Sequence, residues 1–291
     1  MIGRRARAST AGLAVALLAA CSAGAGNGAA GAPTAPTSSG PVSVTTAAGA
    51  PPSSPSAPSS TGTSASTGTA PPGAALPDDA TCAARVVPAP EIRPQNVAFN
   101  RTRGRQKGLA GPYFSRVTGD FVGTTDEILQ WAACKWGIDA DVVRAQAAKE
   151  SYWTMDHVGD FGPDAAVCLP GHAIGADGEK GQCPESIGIL QMRYQYTGPP
   201  AGLDTWPEAA ASTAYQVDFT YAQWRSCYEG ALGWLNTTDR VGTYAAGDLW
   251  GCVGTWFAGR WHTDPAEQYI AAVKGYVQDR IWTSRSFIDH R

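Results

Sequence analysis

Apolar positions in the second half of the chain recur three and four residues apart, the period of a helix with one buried face. Thr124-Thr125-Asp126-Glu127 has the form of a capping box, with Thr124 as N-cap and Glu127 at N3. It predicts a helix through Ile128, Trp131 and Cys134 that stops at Gly137. Asp139 is placed to cap a second helix, from Ala140 to about Ser151. A third is predicted to begin near Ser212, with Val217, Tyr221, Trp224 and Tyr228 at helical spacing. Asp264-Pro265-Ala266-Glu267 sets Pro at N1 and Glu at N3 of a fourth, whose buried stripe would be Ile270, Val273, Val277 and Ile281. No alternating run is long enough to require a large sheet. The expected class is mainly α, a helical domain with irregular loops.

The first half is patterned differently. From Ser22 to about Asp79 the chain is almost all Ala, Gly, Ser, Thr and Pro, without an aromatic residue and without a charge before Asp78. Such a segment cannot bury enough apolar surface to offset its backbone entropy, and a disordered linker is expected. As a random coil it would reach about 40 Å. Ahead of it, Arg4, Arg5 and Arg7 precede the small, apolar stretch from Ala11 to Ala20, which is too short for a mature membrane span. Leu18-Ala19-Ala20-Cys21 resembles the lipobox of bacterial lipoproteins. That resemblance implies export, acylation of Cys21 and anchoring in the cell membrane facing the wall; the alternative is an ordinary secretory signal in which Cys21 is incidental. The expected organisation is a signal peptide at 1–20, an acylated Cys and linker at 21–80, and one folded domain at 81–291.

All ten Trp and all ten Tyr lie beyond the linker, which puts the core there. The net charge of −3 carries no global nucleic-acid signature. A local basic run, Arg101 to Lys107, reads as a solvated loop. Seven cysteines less Cys21 leave six, and an even number in an exported chain favours disulfides over metal. Cys168–Cys183 would close a Gly- and Pro-rich excursion; Cys227–Cys252 and Cys82–Cys134 follow by elimination. A zinc site using Cys168, His172 and Cys183 is disfavoured by the compartment. His157, His172 and His262 lack ligand-like spacing, and neither a metal nor a cofactor is expected.

Chemistry concentrates at the end of the second helix. Val142, Gln146 and Glu150 share one face, with Val143 and Ala147 beside it. A glutamate among apolar neighbours resists ionisation, and so does one at a helix C-terminus, where the dipole opposes negative charge. Trp153 would shield it further. These effects favour the neutral acid that protonates a glycosidic oxygen. The plainer alternative is a surface Glu paired with Lys149 or Arg144.

Ala147-Ala148-Lys149-Glu150-Ser151-Tyr152-Trp153 resembles the catalytic Glu-Ser motif of the soluble lytic transglycosylase and goose-type lysozyme family. Ser186-Ile187-Gly188-Ile189-Leu190-Gln191-Met192 resembles its Ser-x-Gly-x-x-Gln motif. Trp256-Phe257-Ala258-Gly259 stands in the place of its Tyr-Asn-Ala-Gly motif, and Tyr269 in that of its late Tyr. The resemblance covers about Thr124 to Trp282 and implies a lysozyme-like fold acting on peptidoglycan glycan strands. By the same resemblance, Glu150 would be general acid and then base, with Ser151 helping to orient it. Gly188, in the motif that Ser186 opens, would let the sugar approach the backbone. Gln191 would bond the glycan or Glu150, and Tyr269 would hold the Glu150 carboxyl. Trp256 would face substrate from the altered third motif, where a sugar-contacting amide is missing. The interval between the first two motifs is longer than usual and carries Cys168 and Cys183, which suggests a disulfide-closed loop at the cleft rim.

Within that family the single-glutamate scheme implies a lytic transglycosylase. Glu150 protonates the leaving oxygen, the muramic acid C6 hydroxyl attacks the anomeric carbon, and a 1,6-anhydro end results. A muramidase would need a second carboxylate, and Asp156, Asp160, Asp164, Asp177 and Glu185 are available between the motifs. A third possibility is a non-catalytic wall-binding lipoprotein, against which the retained Glu150 argues. Trp153, Trp206, Trp250, Trp256 and Trp261 lie in or near the motifs and supply flat faces for sugar or for core. The expected partners are glycan strands and, through the lipid, a membrane; no nucleic acid is expected, and the protein should be a monomer.

Overall fold

The computed structural model describes residues 68–105, 108–194 and 205–290. The signal peptide, Cys21 and the linker as far as residue 67 lie outside the described residues, as do positions 106 and 107 of the basic run.

The chain forms α1 (Asp79–Ala83), α2 (Val97–Arg101), α3 (Thr125–Trp136) and α4 (Ala140–Ser151). Three two-residue strands follow: β1 (Val158–Gly159), β2 (Ser186–Ile187) and β3 (Met192–Arg193). Then come α5 (Glu208–Ala211), α6 (Thr213–Tyr228), α7 (Leu249–Ala258), α8 (Asp264–Asp279) and α9 (Arg285–Ile288). The domain is mainly α. Its small antiparallel sheet runs β1-β2-β3, with Val158 opposite Ile187 and Ile187 opposite Met192.

The predicted caps of α3 and α4 form as chemistry requires. The Thr124 side chain accepts from the Glu127 backbone, and the Glu127 carboxylate accepts from the Thr124 backbone, so two otherwise orphaned donors are satisfied. Gly137 ends α3 in the left-handed region, φ 61°. Asp139 caps α4 through the Asp141 amide at 2.8 Å. The fourth predicted helix starts one residue earlier than its sequence suggests: Thr263 is the N-cap, which moves Pro265 and Glu267 one place further in. It also ends sooner. Ile281, expected on its buried stripe, lies beyond Arg280, which closes α8 at φ 44°.

Helix α6 is the centre of the domain, packed against α3 and α7, while α4 and α7 both pack on α8. Every residue of α6 is buried, polar ones included. Asp218 accepts from Lys135 Nζ and Trp136 Nε1 at 2.8 Å each, and from the amides of Thr118 and Gly119. Saturating the carboxylate in this way offsets the cost of burying its charge. Arg225 donates to the carbonyls of Ala70 and Pro71 at 2.8 Å each.

Those last contacts correct the domain boundary. Residues 68–80, assigned to the linker by composition, belong to the folded body. Ala70 N bonds Gly137 O at 2.8 Å, and Gly73 N bonds the Glu229 carboxylate at 2.7 Å. Backbone groups hold this segment, and composition cannot register them. Three disulfides pair Cys82 with Cys134, Cys168 with Cys183 and Cys227 with Cys252. They are the pairs expected from the sequence. The zinc alternative falls with them, since both its thiols are bonded together and His172 Nδ1 lies 2.9 Å from Asp177.

Candidate active site

Glu150 sits in the last turn of α4, and the chain leaves that helix through two consecutive left-handed residues, Tyr152 (φ 53°) and Trp153 (φ 65°). Side chains from elsewhere hold this turn. The buried Arg93 donates from Nε to Tyr152 O at 2.7 Å and from its terminal nitrogen to Phe287 O at 2.7 Å. The buried Asn96 donates to Trp153 O at 2.6 Å and accepts from Met155 N at 2.9 Å. Trp153 itself is buried, with Nε1 donating to Arg144 O at 2.9 Å.

The carboxyl of Glu150 accepts from the hydroxyl of Tyr269, a buried side chain of α8. Behind it, Gln146 accepts from Tyr221 at 3.0 Å and also bonds Tyr269. The alternative ion pairs do not form. Arg144 is taken by Asp126 at 2.6 Å and Asp141 at 3.0 Å. Lys149 points its ammonium toward the Tyr269 ring, 6.0 Å from the centroid. Burial pushes the Glu150 carboxyl up to about 7, against the opposing influence of the Tyr269 hydrogen bond and the Lys149 charge; the charge of Asp160 adds to the rise.

Glu150 is half-buried and reaches a cleft of about 380 Å³, walled by Lys149, Ser151, Tyr152, Thr154, His157 and His290. Phe257, an exposed residue of α7, stacks on Tyr269 with centroids 4.9 Å apart and planes within 2°. Trp153 and Trp261, two of the candidate sugar platforms, are core residues instead.

The second motif forms a support for the site, with roles different from those expected. Gly188, at φ 91°, is required by Gln216: a Cβ there would lie 2.2 Å from Gln216 Nε2. Close approach at Gly188 is therefore by a protein side chain, and Gln216 also accepts from Leu190 N at 2.8 Å. Gln191 is spent inside its own loop. Its oxygen accepts from Ser186 Oγ at 2.9 Å, and its nitrogen donates to the carbonyls of Gly188 and His157 at 2.9 and 3.0 Å. Ser151 donates to Ile189 O at 3.0 Å and accepts from Thr154 N at 3.0 Å, so it joins helix to loop. Trp256 Nε1 donates to Leu190 O at 3.1 Å. Ser151, Ser186, Gly188, Gln191 and Trp256 thus fix one loop against α4, α6 and α7, while Tyr269 alone among the expected residues bonds Glu150.

Sequence reasoning missed Gln216, Tyr221, Phe257 and His290. Gln216 lies on α6 outside the apolar stripe, where a polar residue reads as solvated. Phe257 was visible only as a departure from a motif.

Comparison of the chain with protein-family models, with curated proteins and with solved structures finds no match. Among the described residues no group of three or more His, Cys, Asp or Glu is placed to hold a metal ion, and no helix is long and apolar enough to cross a membrane.

Proposed function

We propose that this protein is a lysozyme-like lytic transglycosylase that cleaves the β-1,4 bond between MurNAc and GlcNAc in peptidoglycan, with Glu150 as its acid and base. One observation carries the reading. Glu150 lies at a cleft with its carboxyl pushed up to about 7 by burial, and its bonding partner is a buried tyrosine hydroxyl and not a cation. A carboxyl so placed keeps a large neutral fraction near neutral pH and has a proton to give. Glu150 protonates the glycosidic oxygen as the C1–O bond breaks. The C6 hydroxyl oxygen of the same muramic acid bonds to C1, and its proton passes to the Glu150 carboxylate, which restores the acid. In the interval the Tyr269 hydroxyl stabilises the ionised carboxylate.

A hydrolytic second reading rests on Asp160, whose charge acts on Glu150. Asp160 is held by Arg193 at 3.2 Å, which suits a structural ion pair and favours the single-acid scheme. Mass analysis of the products from purified peptidoglycan separates the two. Anhydro-ended muropeptides, one water lighter than hydrolysis products, are expected; reducing ends would transfer the assignment to a muramidase using Asp160. Export and lipid anchoring through Cys21 complete the proposal and rest on the pattern from Leu18 to Cys21.

A further inference from the structure

Among the described residues, the walls of the Glu150 cleft carry three nitrogen bases, Lys149, His157 and His290, and no carboxylic acid besides Glu150. All three are exposed, and they come from separate parts of the chain. Lys149 extends from the last turn of α4. His157 precedes β1, and its carbonyl is held by Gly188 N at 2.8 Å and Gln191 Nε2 at 3.0 Å, so the supporting loop fixes its backbone. His290 follows α9, and its ring lies 4.6 Å from that of Tyr152. Among the described residues the histidine ion pairs are His172 with Asp177 and His262 with Asp248 and Glu267; Lys149, His157 and His290 are in none. Asp160, the acid whose charge acts on Glu150, is turned to Arg193, and Asp289, next to His290, pairs with Arg285.

Cleavage by a single acid does not call for a lysine and two histidines at the cleft, and a neutral sugar gives the lysine nothing to pair with. We infer that Lys149, His157 and His290 form a recognition site for a carboxylate carried by the glycan, beside the bond that Glu150 cleaves. The inference rests on the functional reading above and names the group of that substrate which the cleft would recognise. The Lys149 ammonium makes short, charge-assisted hydrogen bonds to a carboxylate, an imidazole N–H donates to it as well, and a cleft focuses the lysine's field. A bound carboxylate also adds negative charge near Glu150, which favours the neutral acid needed for the first step. The muramyl lactyl group and the stem peptide it bears are the two sources of such a carboxylate.

Titration calorimetry on the Glu150→Gln protein, which binds without turnover, compares three probes. They are chitohexaose, glycan strands stripped to the free lactyl carboxylate, and peptide-bearing strands. At least one anionic probe should bind about tenfold more tightly than chitohexaose at low salt. That preference should shrink toward one in about 0.5 M salt, where the Debye length is short. It should shrink likewise in His157→Gln/His290→Gln and in Lys149→Gln. Tight binding of stripped strands assigns the lactyl group; tight binding of peptide-bearing strands only assigns the stem. Equal affinity for all three probes, or a preference indifferent to salt and to both variants, overturns the inference. Wild-type cleavage separates it from the functional reading: equal cleavage of chitohexaose and anionic strands removes only the recognition site, whereas cleavage of none removes both.

Discussion

The hydroxyl of Tyr269 on α8 donates to the Glu150 carboxyl on α4, across 119 positions of sequence. The two helices pack against each other, so the bond is set by the core and not by a loop. It supports the ionised form of Glu150, while burial supports the neutral one, and burial wins. The carboxyl therefore titrates near about 7, where both of its protonation states are accessible in turn.

Tyr269→Phe removes the only influence in this pair that pulls the Glu150 carboxyl down through a hydrogen bond. Its midpoint should rise above about 7, and the high-pH limb of the kcat/KM profile should move up with it. Activity at neutral pH should fall by about tenfold or more, because the carboxylate left after Glu150 gives up its proton is less stabilised, which makes Glu150 a weaker acid. A pH–rate profile with its upper limb unmoved would show that this hydroxyl does not tune Glu150.

Gly188→Ala should destabilise the domain by about 2–4 kcal/mol, since it adds a clash to a φ that side chains rarely adopt. The clash is with Gln216, 2.2 Å from the added Cβ. Urea denaturation in a Gln216→Ala background should show a smaller cost for the same change, the signature of two residues in contact. Strict additivity would mean that Gly188 is required for some other reason.

The caps of α3 and α4 and the four main helices were legible because caps and helical periods are local, and they need no knowledge of what packs where. The local pattern left Glu150 open between a catalytic acid and a surface ion pair, and the motifs that follow it in sequence singled it out. The polar residues of α6 did not stand out. Gln216, Asp218 and Arg225 look like a solvated face in one dimension, and only tertiary contacts show them satisfied inside the core. The roles of Gly188 and Gln191 were obscured in a related way. Each is demanded by a protein partner distant in sequence or by the loop's own hydrogen bonds, and a motif read against a family it resembles points to the ligand instead. Helix α7 was missed because Gly251 and Gly254 weaken its local signal; Gly254 lies where a Cβ would meet Ile270 at 2.8 Å.

His262 joins the first turns of α7 and α8, with Nε2 at 2.7 Å from Asp248 and Nδ1 bonded to Glu267. Burial works against its charge, but the two carboxylates outweigh burial and hold the imidazole above its usual range. A group whose folded pKa is raised contributes stability that is present below its unfolded value and lost as pH rises through the folded one. Thermal unfolding should therefore show His262→Gln less stable than wild type near pH 5.5, with the gap narrowing by about pH 9. A gap independent of pH would assign His262 a packing role only.

If Cys21 is the acylated residue of an exported chain, the protein should sediment with membranes, and Cys21→Ser should release it or leave it unprocessed. Membrane fractionation of the two proteins decides. Equal association would remove the anchor while leaving the proposed chemistry untouched.

The central claim is tested most directly by the turnover of purified peptidoglycan with Glu150→Gln. Glutamine keeps the size and the hydrogen-bonding reach of the side chain but cannot exchange a proton. It also removes a carboxylate that burial disfavours, so above about pH 7 the variant should be at least as stable as wild type. Release of soluble muropeptides should fall by about two to four orders of magnitude, the usual worth of acid–base catalysis. Release at the wild-type rate by a folded Glu150→Gln protein would contradict the account.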